Sequence, residues 1–301
     1  MPRLTARELA AVHRLEFPFW LNTLCQALWG VCFAAAAPAD VLTWPALAAV
    51  AAAILLMEAG LVLNTAADLD SDSRHAERSR LASAAHRLGR RGALRLAAGE
   101  ASMGLLLALA VSLHTGHLGV VLAAAGTGVA HVLYNVEPVR LKSRGLAGAV
   151  VFACGAVMLP CLLTHSALRA DVPTPTALVF TGLTVLAVGR VVWWSVPDRD
   201  ADAAAGQRTT SVRRGAVGAL HVARLLLSLG LAVLVWGLWW SAGALAAAVG
   251  AAGHAVFTAS TVTLSRRVAA GASVSSHRLR VTAMPMVLVA DLAIVGIALV
   301  R

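Results

Sequence analysis

The chain has 301 residues, of which 59% are hydrophobic and 13% charged, and its mean hydropathy is +0.77. This composition excludes an ordinary soluble domain and also excludes disorder. The net charge of +10 would suggest a nucleic-acid partner in a soluble protein. The basic loops of a membrane protein account for it here, and we expect no nucleic acid.

Long apolar runs follow one another along the chain. Each is roughly 19–25 residues long, enough to cross a hydrocarbon core of about 30 Å as a helix. The runs lack the period-two alternation of barrel strands, so we expect an all-α integral membrane protein. The nine predicted spans are 16–37, 45–69, 93–113, 117–135, 145–165, 175–196, 216–240, 242–263 and 280–300.

The Lys and Arg residues are distributed unevenly between the two ends of these spans. Nearly all follow the even-numbered spans or precede span one, whereas only Arg169 and Arg301 lie at the opposite ends. The positive-inside rule then predicts a cytoplasmic N-terminus and an external C-terminus. The Ala-, Val- and Arg-rich composition resembles high-GC bacterial coding and fits the cell inner (plasma) membrane. We expect residues 1–15 to form a cytoplasmic segment and residues 16–301 to form a single nine-helix domain.

Two acidic clusters stand where spans two and six end. Asn64, Asp68 and Asp72 are spaced by four residues, and so are Asp198 and Asp202, so each set lines one face of a helix end. A solvated loop is the alternative for one such cluster alone. The repeated spacing at one membrane face favours a divalent-metal site, from which Asp70 and Asp200 point away.

The surroundings of these clusters indicate what the metal binds. Carboxylate and amide oxygens are hard ligands suited to Mg²⁺, which usually shares its coordination shell with substrate phosphates. The adjacent loops are rich in Arg, the complement of a diphosphate. The apolar helices would enclose a central cavity for a hydrocarbon chain, with the active site at its cytoplasmic end. The residues therefore describe a lipid diphosphate as the substrate.

The chain resembles the UbiA superfamily of intramembrane prenyltransferases over roughly residues 14–300. The first cluster matches the family's Asn-x-x-x-Asp-x-x-x-Asp motif. The second, with Gly206 and Thr209 after it, matches Asp-x-x-x-Asp followed by Gly-x-x-Thr. Residues 133–145, which include Tyr134, Arg140 and Lys142, are similar to the family's Tyr-Ser-x-Pro-Pro-x-Arg-x-Lys segment.

The resemblance implies a nine-helix enzyme that ionises an isoprenyl diphosphate and passes the carbocation to an acceptor. The implied ligands of Mg²⁺ are Asn64, Asp68, Asp72, Asp198 and Asp202, and the four aspartates among them would be catalytic. Arg140 and Lys142, with one or more of Arg78, Arg80 and Arg208, would bind the diphosphate.

The sequence leaves two alternative roles open for each of two further residues, Tyr134 and Arg190. Tyr134 either stabilises the carbocation or binds the diphosphate in the site, or else anchors its helix at the membrane interface. Arg190, about two turns before Asp198, either contacts the diphosphate or pairs with a carboxylate. Charged side chains inside spans are costly; for Glu100 and Asp291 we expect internal hydrogen bonds.

Departures from the family pattern leave the acceptor open. Thr65 and Ser195 stand where many relatives carry Asp, and the loop after the first motif lacks the usual Pro and Gly. The small aromatic or lipid acceptor of a transferase is therefore unidentified. A UbiA-type intramembrane terpene cyclase is the alternative, and a non-catalytic transporter or scaffold explains less, since it does not account for the paired motifs.

Overall fold

The computed structural model describes residues 4–69 and 79–301, which are 84% helix and contain no strand in those ranges. The all-α class is therefore confirmed. The helices are α1 (Ala6–Val12), α2 (Phe19–Ala34), α3 (Trp44–Ala67), α4 (Ser79–Thr115), α5 (Leu118–Asn135), α6 (Leu146–Ala153), α7 (Leu159–Ser166), α8 (Thr174–Trp194), α9 (Arg199–Ala204), α10 (Thr210–Ala269) and α11 (Ser276–Val300).

Seven helical stretches in the described ranges are long and apolar enough to cross a membrane, and α2 is apolar but shorter at 16 residues. The chain is thus a multi-pass membrane protein. The 60-residue α10 would be roughly 90 Å long if straight, three times the hydrocarbon thickness. It turns instead at Gly243, whose φ of +86° suits glycine. The predicted spans 216–240 and 242–263 meet at this turn. The total of nine membrane spans stays a prediction.

One predicted loop contains helix instead. The connection after span two was expected to reach residue 93, whereas α4 begins at Ser79 and changes direction at Gly89. Its first arm is rich in Ala and Leu and buries Ala84 and Leu88 against Val62 of α3. This apolar contact explains why the basic stretch becomes ordered helix, since burial outweighs the polarity of the flanking arginines.

The N-terminal helix α1 packs against this arm and against α3. Its last residue, Val12, is fully buried there. In the next position, Nε2 of His13 lies 2.6 Å from Oε1 of Glu100 in α4. The internal hydrogen bond expected for Glu100 is therefore present, and it joins the N-terminal segment to the bundle.

We expect this contact to make the docking of α1 depend on pH. The hydrogen bond to Glu100 raises the pKa of His13 above its ordinary value. The resulting stabilisation is complete below the unfolded pKa of about 6.5 and is lost as the pH rises through the folded value. The protection factors of the α1 amides in hydrogen exchange, which correct for the faster intrinsic exchange at high pH, should be larger at pH 6 than at pH 8, and His13→Gln should remove this difference. An equal pH effect in the variant would contradict the prediction.

Helices α3 and α5 approach each other closely beside the site. The ring of His131 packs directly on the Cα of Gly60, so a methyl group there would overlap the ring. Gly60→Ala should therefore destabilise the bundle by about 1–3 kcal/mol through overpacking, measured as a lower Tm in detergent. Gly128→Ala in α5 is the matched control, because a Cβ at Gly128 meets no atom within 4 Å. A Tm for Gly60→Ala at or above that of the control would refute this packing argument.

Helices α6 and α7 form one apolar stretch interrupted by a π-helical turn, Cys154–Met158. Pro160 at the start of α7 has no N–H to donate, which explains the irregular hydrogen bonding of the preceding turn. A narrow cleft of about 160 Å³, part of it open to solvent, lies between this turn, α2 and α3, lined by Thr23, Gln26, Ala27, Ala53, Met57, Ala156 and Pro160. The larger central cavity stays a prediction.

Candidate active site

The first acidic motif lies where α3 ends. Asp68 terminates the helix, and its backbone N–H donates to the carbonyl of Asn64 at 3.0 Å. Nζ of Lys142 donates to Oδ1 of Asp68 at 2.6 Å and to Oδ1 of Asn64 at 3.0 Å. Two residues one helical turn apart therefore direct their oxygens at a single cationic atom.

Lys142 reaches this position from the connection between α5 and α6. The short 3₁₀ turn Leu141–Ser143 holds it, and its side chain is only 5% exposed. Arg140 precedes the turn with a left-handed φ of +34°. Its guanidinium donates to Oδ1 of Asp68 at 3.3 Å and to Oε1 of Glu137 at 3.1 Å. The predicted pair of basic residues thus lies against the predicted metal ligand, in a partly buried place where such pairs are screened little by solvent.

The second acidic motif lies one turn beyond α8. That helix ends at Trp194, and Asp198 occupies the N-cap position of the short helix α9 without a side-chain capping hydrogen bond. The backbone N–H of Asp202 donates to the carbonyl of Asp198 at 2.8 Å, so these two residues are one turn apart. Both are partly buried. Asp200, in contrast, is 87% exposed and pairs with Arg199, as its offset predicted.

The connections that carry the basic segment and the second motif meet at one end of the bundle. The backbone N–H of Arg208 donates to the carbonyl of Ser143 at 3.0 Å. The hydroxyl of Ser211 donates to the carbonyl of Ser195 at 2.7 Å, which ties the start of α10 to the end of α8. The predicted site segments therefore share one end of the bundle.

The donor set at the end of α3 fits a hard cation. Amide and carboxylate oxygens of Asn64 and Asp68 already converge on one positive centre, and oxygen donors of this kind suit Mg²⁺. Within residues 4–69 and 79–301, no three His, Cys, Asp or Glu side chains converge closely enough to hold a metal. Asp72 lies outside the described residues, as do Asp70 and Arg78. Arg80 lies in the first turn of α4, but its side chain is also outside the description.

Tyr134 is the penultimate residue of α5, and its half-buried ring packs on Phe152 of α6 with centroids 5.2 Å apart. Its two alternative roles remain predictions.

Arg190 is buried in α8, where its charge interacts with Asp291 of α11 and with His254 of α10. Asp291 also accepts a hydrogen bond from Asn22 of α2 at 2.7 Å. The carboxylate near Arg190 is therefore that of Asp291, which is distant in the chain and which the sequence did not indicate as its partner. The role of Arg190 in diphosphate binding stays a prediction.

Two residues that the sequence presented only as loop charges also belong to this end of the bundle. Arg144 and Arg213 line a surface pocket together with Ser143 and Arg208. No local signal distinguished them from the other loop arginines, because the residues that meet in this pocket are about 70 positions apart in the chain.

Solved structures share this architecture. A UbiA homolog from Archaeoglobus fulgidus, bound to DMAPP and Mg²⁺, matches with a TM-score of 0.72 and 18% identity over 98% of this chain and 100% of that one. The same homolog bound to GPP and Mg²⁺ matches with a TM-score of 0.72 and 17% identity over the same shares of the two chains. A digeranylgeranylglyceryl phosphate synthase matches with a TM-score of 0.64 and 14% identity, over 97% of this chain and 98% of that one.

No curated protein matches this sequence. The sequence profile of the UbiA prenyltransferase family, however, matches residues 23–280, which include both acidic motifs and the basic segment between them. The helical fold, the arrangement of the motifs and this match agree, and the chain belongs to the UbiA prenyltransferase family.

Proposed function

We propose that this protein is a Mg²⁺-dependent intramembrane prenyltransferase that ionises an isoprenyl diphosphate and transfers the prenyl group to a small aromatic or lipid acceptor. One observation carries the proposal: Lys142 lies within 2.6 Å of Asp68 and 3.0 Å of Asn64 at the end of an apolar bundle. Oxygen atoms that can bind a metal ion lie beside cationic side chains, and this combination suits a bound diphosphate. The apolar helices suit the hydrocarbon chain of such a substrate. The DMAPP and GPP complexes of the Archaeoglobus fulgidus homolog support this choice.

In this proposal the substrate diphosphate is bound by residues of both kinds. Asn64, Asp68, Asp72, Asp198 and Asp202 would hold Mg²⁺, whose chemistry there is to take up negative charge developing on the departing diphosphate. Lys142 and Arg140 would donate hydrogen bonds to the diphosphate oxygens. Arg78, Arg80 and Arg190 stay proposed as further diphosphate ligands. Arg208, for which the resemblance implies the same role, lines a surface pocket with Arg144 and Arg213 instead.

The chain's own groups then act on the two halves of the substrate. The allylic C–O bond breaks with its electron pair on the diphosphate, where Lys142 and Arg140 stabilise the added charge. The prenyl carbocation remains among apolar helices that exclude water, and the acceptor forms a bond to it and loses a proton, which leaves with the released diphosphate. Tyr134 faces Phe152 and offers an aromatic ring for the cation.

We also propose where the protein acts. Residues 16–301 would form a single nine-helix domain of the inner membrane with the active site on the cytoplasmic side. The basic residues support this orientation, because Arg140, Lys142 and Arg208 lie at the bundle end that holds Asp68.

Diphosphate release by the detergent-purified protein tests the function. The assay supplies Mg²⁺ and isoprenyl diphosphates of several lengths, with and without aromatic and lipid acceptors. A prenylated acceptor with released diphosphate supports the transferase. Release without acceptor, with a cyclic hydrocarbon or alcohol as product, would show a cyclase instead. No release under any condition would indicate a transporter or scaffold and overturn the proposal.

A further inference from the structure

The basic side chains of residues 140–144 lie in two separate places. Arg140 and Lys142 are directed at Asp68. Arg144, after the 3₁₀ turn Leu141–Ser143, lines the surface pocket with Arg208 and Arg213 instead. This second set of basic residues is not accounted for by contact with the acidic motifs.

One backbone contact joins the two connections at the pocket, and a side-chain contact positions Arg144 within its own connection. The backbone N–H of Arg208 donates to the carbonyl of Ser143 at 3.0 Å, and the guanidinium of Arg144 donates to the carbonyl of Pro138 at 2.8 Å. The side chain of Arg213 lies beside Gly145, where an added Cβ would be 3.7 Å from its Cδ and NH1 atoms. The pocket encloses about 420 Å³, part of it open to solvent.

The pocket is lined by three cationic side chains. In the described part of the chain, Arg144, Arg208 and Arg213 form no ion pair with a carboxylate, whereas Arg140 and Lys142 both pair with Asp68. All three arginines are solvent-exposed, so water screens part of their mutual repulsion, and a bound anion would remove the rest. Guanidinium groups bind phosphate oxygens through paired, charge-assisted hydrogen bonds, and three of them match a dianionic group with several free oxygens.

We propose that this pocket is a second anion site, separate from the diphosphate site, and that it binds a phosphate monoester. The phosphate belongs either to the headgroup of a membrane lipid or to a soluble molecule. The assignment moves Arg208 from the diphosphate site to this one. It is independent of catalysis, since it requires no turnover.

Isothermal titration calorimetry of the detergent-purified protein tests the site, with inorganic phosphate and with dihexanoyl phosphatidic acid as probes. Arg144→Gln combined with Arg213→Gln should weaken binding at least tenfold. Arg214→Gln is the matched control, because Arg214 is also exposed and follows Arg213 on α10 but does not line the pocket; it should change the Kd less than twofold. Binding of both probes supports a soluble phosphate monoester, and binding of the lipid alone supports a headgroup. No binding of either, or equal binding by the double variant, would overturn the proposal.

A competition titration tests whether the two sites are separate. The Kd of the bound probe is measured again with saturating geranyl thiodiphosphate and Mg²⁺. An unchanged Kd supports a second site, whereas displacement would show that the pocket is part of the diphosphate site and refute the proposal. Failure of the thiodiphosphate to bind would contradict the proposed prenyltransferase activity. The second site would still be tested independently, by comparing probe binding to the wild type and to the Arg144→Gln, Arg213→Gln double variant.

Discussion

Asp68→Asn is expected to lower the rate of diphosphate release by about 10²–10³-fold, the usual loss when one charge-stabilising group of an active site is removed. Asp68 is the described carboxylate that both Lys142 and Arg140 contact. The substitution keeps the size of the side chain but removes the anionic ligand proposed for Mg²⁺. Steady-state measurement of released diphosphate at several Mg²⁺ concentrations gives the result.

Asp200→Asn is the matched control for this prediction. Asp200 belongs to the second acidic cluster but is 87% exposed and paired with Arg199, so its loss should change the rate less than twofold. Asp198→Asn should behave like Asp68→Asn, since the proposed ion needs ligands from both motifs. Retained activity in both Asp68→Asn and Asp198→Asn would contradict the proposed Mg²⁺ site.

Lys142→Met is expected to raise the KM for the isoprenyl diphosphate by about 10²-fold, because losing one partner of a buried charge pair costs roughly 2–5 kcal/mol. The ammonium is 5% exposed and lies between Asn64 and Asp68. In the absence of substrate it neutralises Asp68, and in the proposed complex it binds the diphosphate. Methionine fills a similar volume without the charge, and initial rates over a range of substrate concentrations give the KM.

The controls for Lys142→Met separate binding from folding. Arg199→Met removes an exposed cation near the second motif and should leave the KM within twofold of the wild-type value. Lys142→Met and Asp68→Asn should each lower the Tm, while the double variant should lower it by less than the sum, because both substitutions remove the same Lys142–Asp68 ion pair. Wild-type KM in Lys142→Met would mean that another residue binds the diphosphate.

The agreement between sequence and structure is best where the signal is local. Hydropathy over about 20 residues identified the apolar helices, and the spacing of four placed Asp198 and Asp202 one helical turn apart. The same reasoning was wrong for the connection after α3, where a basic stretch forms the first arm of α4. Its Ala and Leu residues are buried by α1 and α3, and a window along the chain does not contain those partners.

By itself, the sequence determined the helical membrane class, the UbiA family and the two acidic motifs, because apolar length and helical spacing depend on neighbours along the chain. Only the tertiary structure decided which basic residue meets which acidic one. Lys142 donates a hydrogen bond to Asp68, and the charge of Arg190 interacts with that of Asp291. Arg208 lines one pocket together with Arg144 and Arg213. These partners come from different helices or connections, often 70 or more positions apart. The left-handed turn at Arg140 and the packing of the surrounding helices set their directions, and neither is encoded in the spacing of a motif.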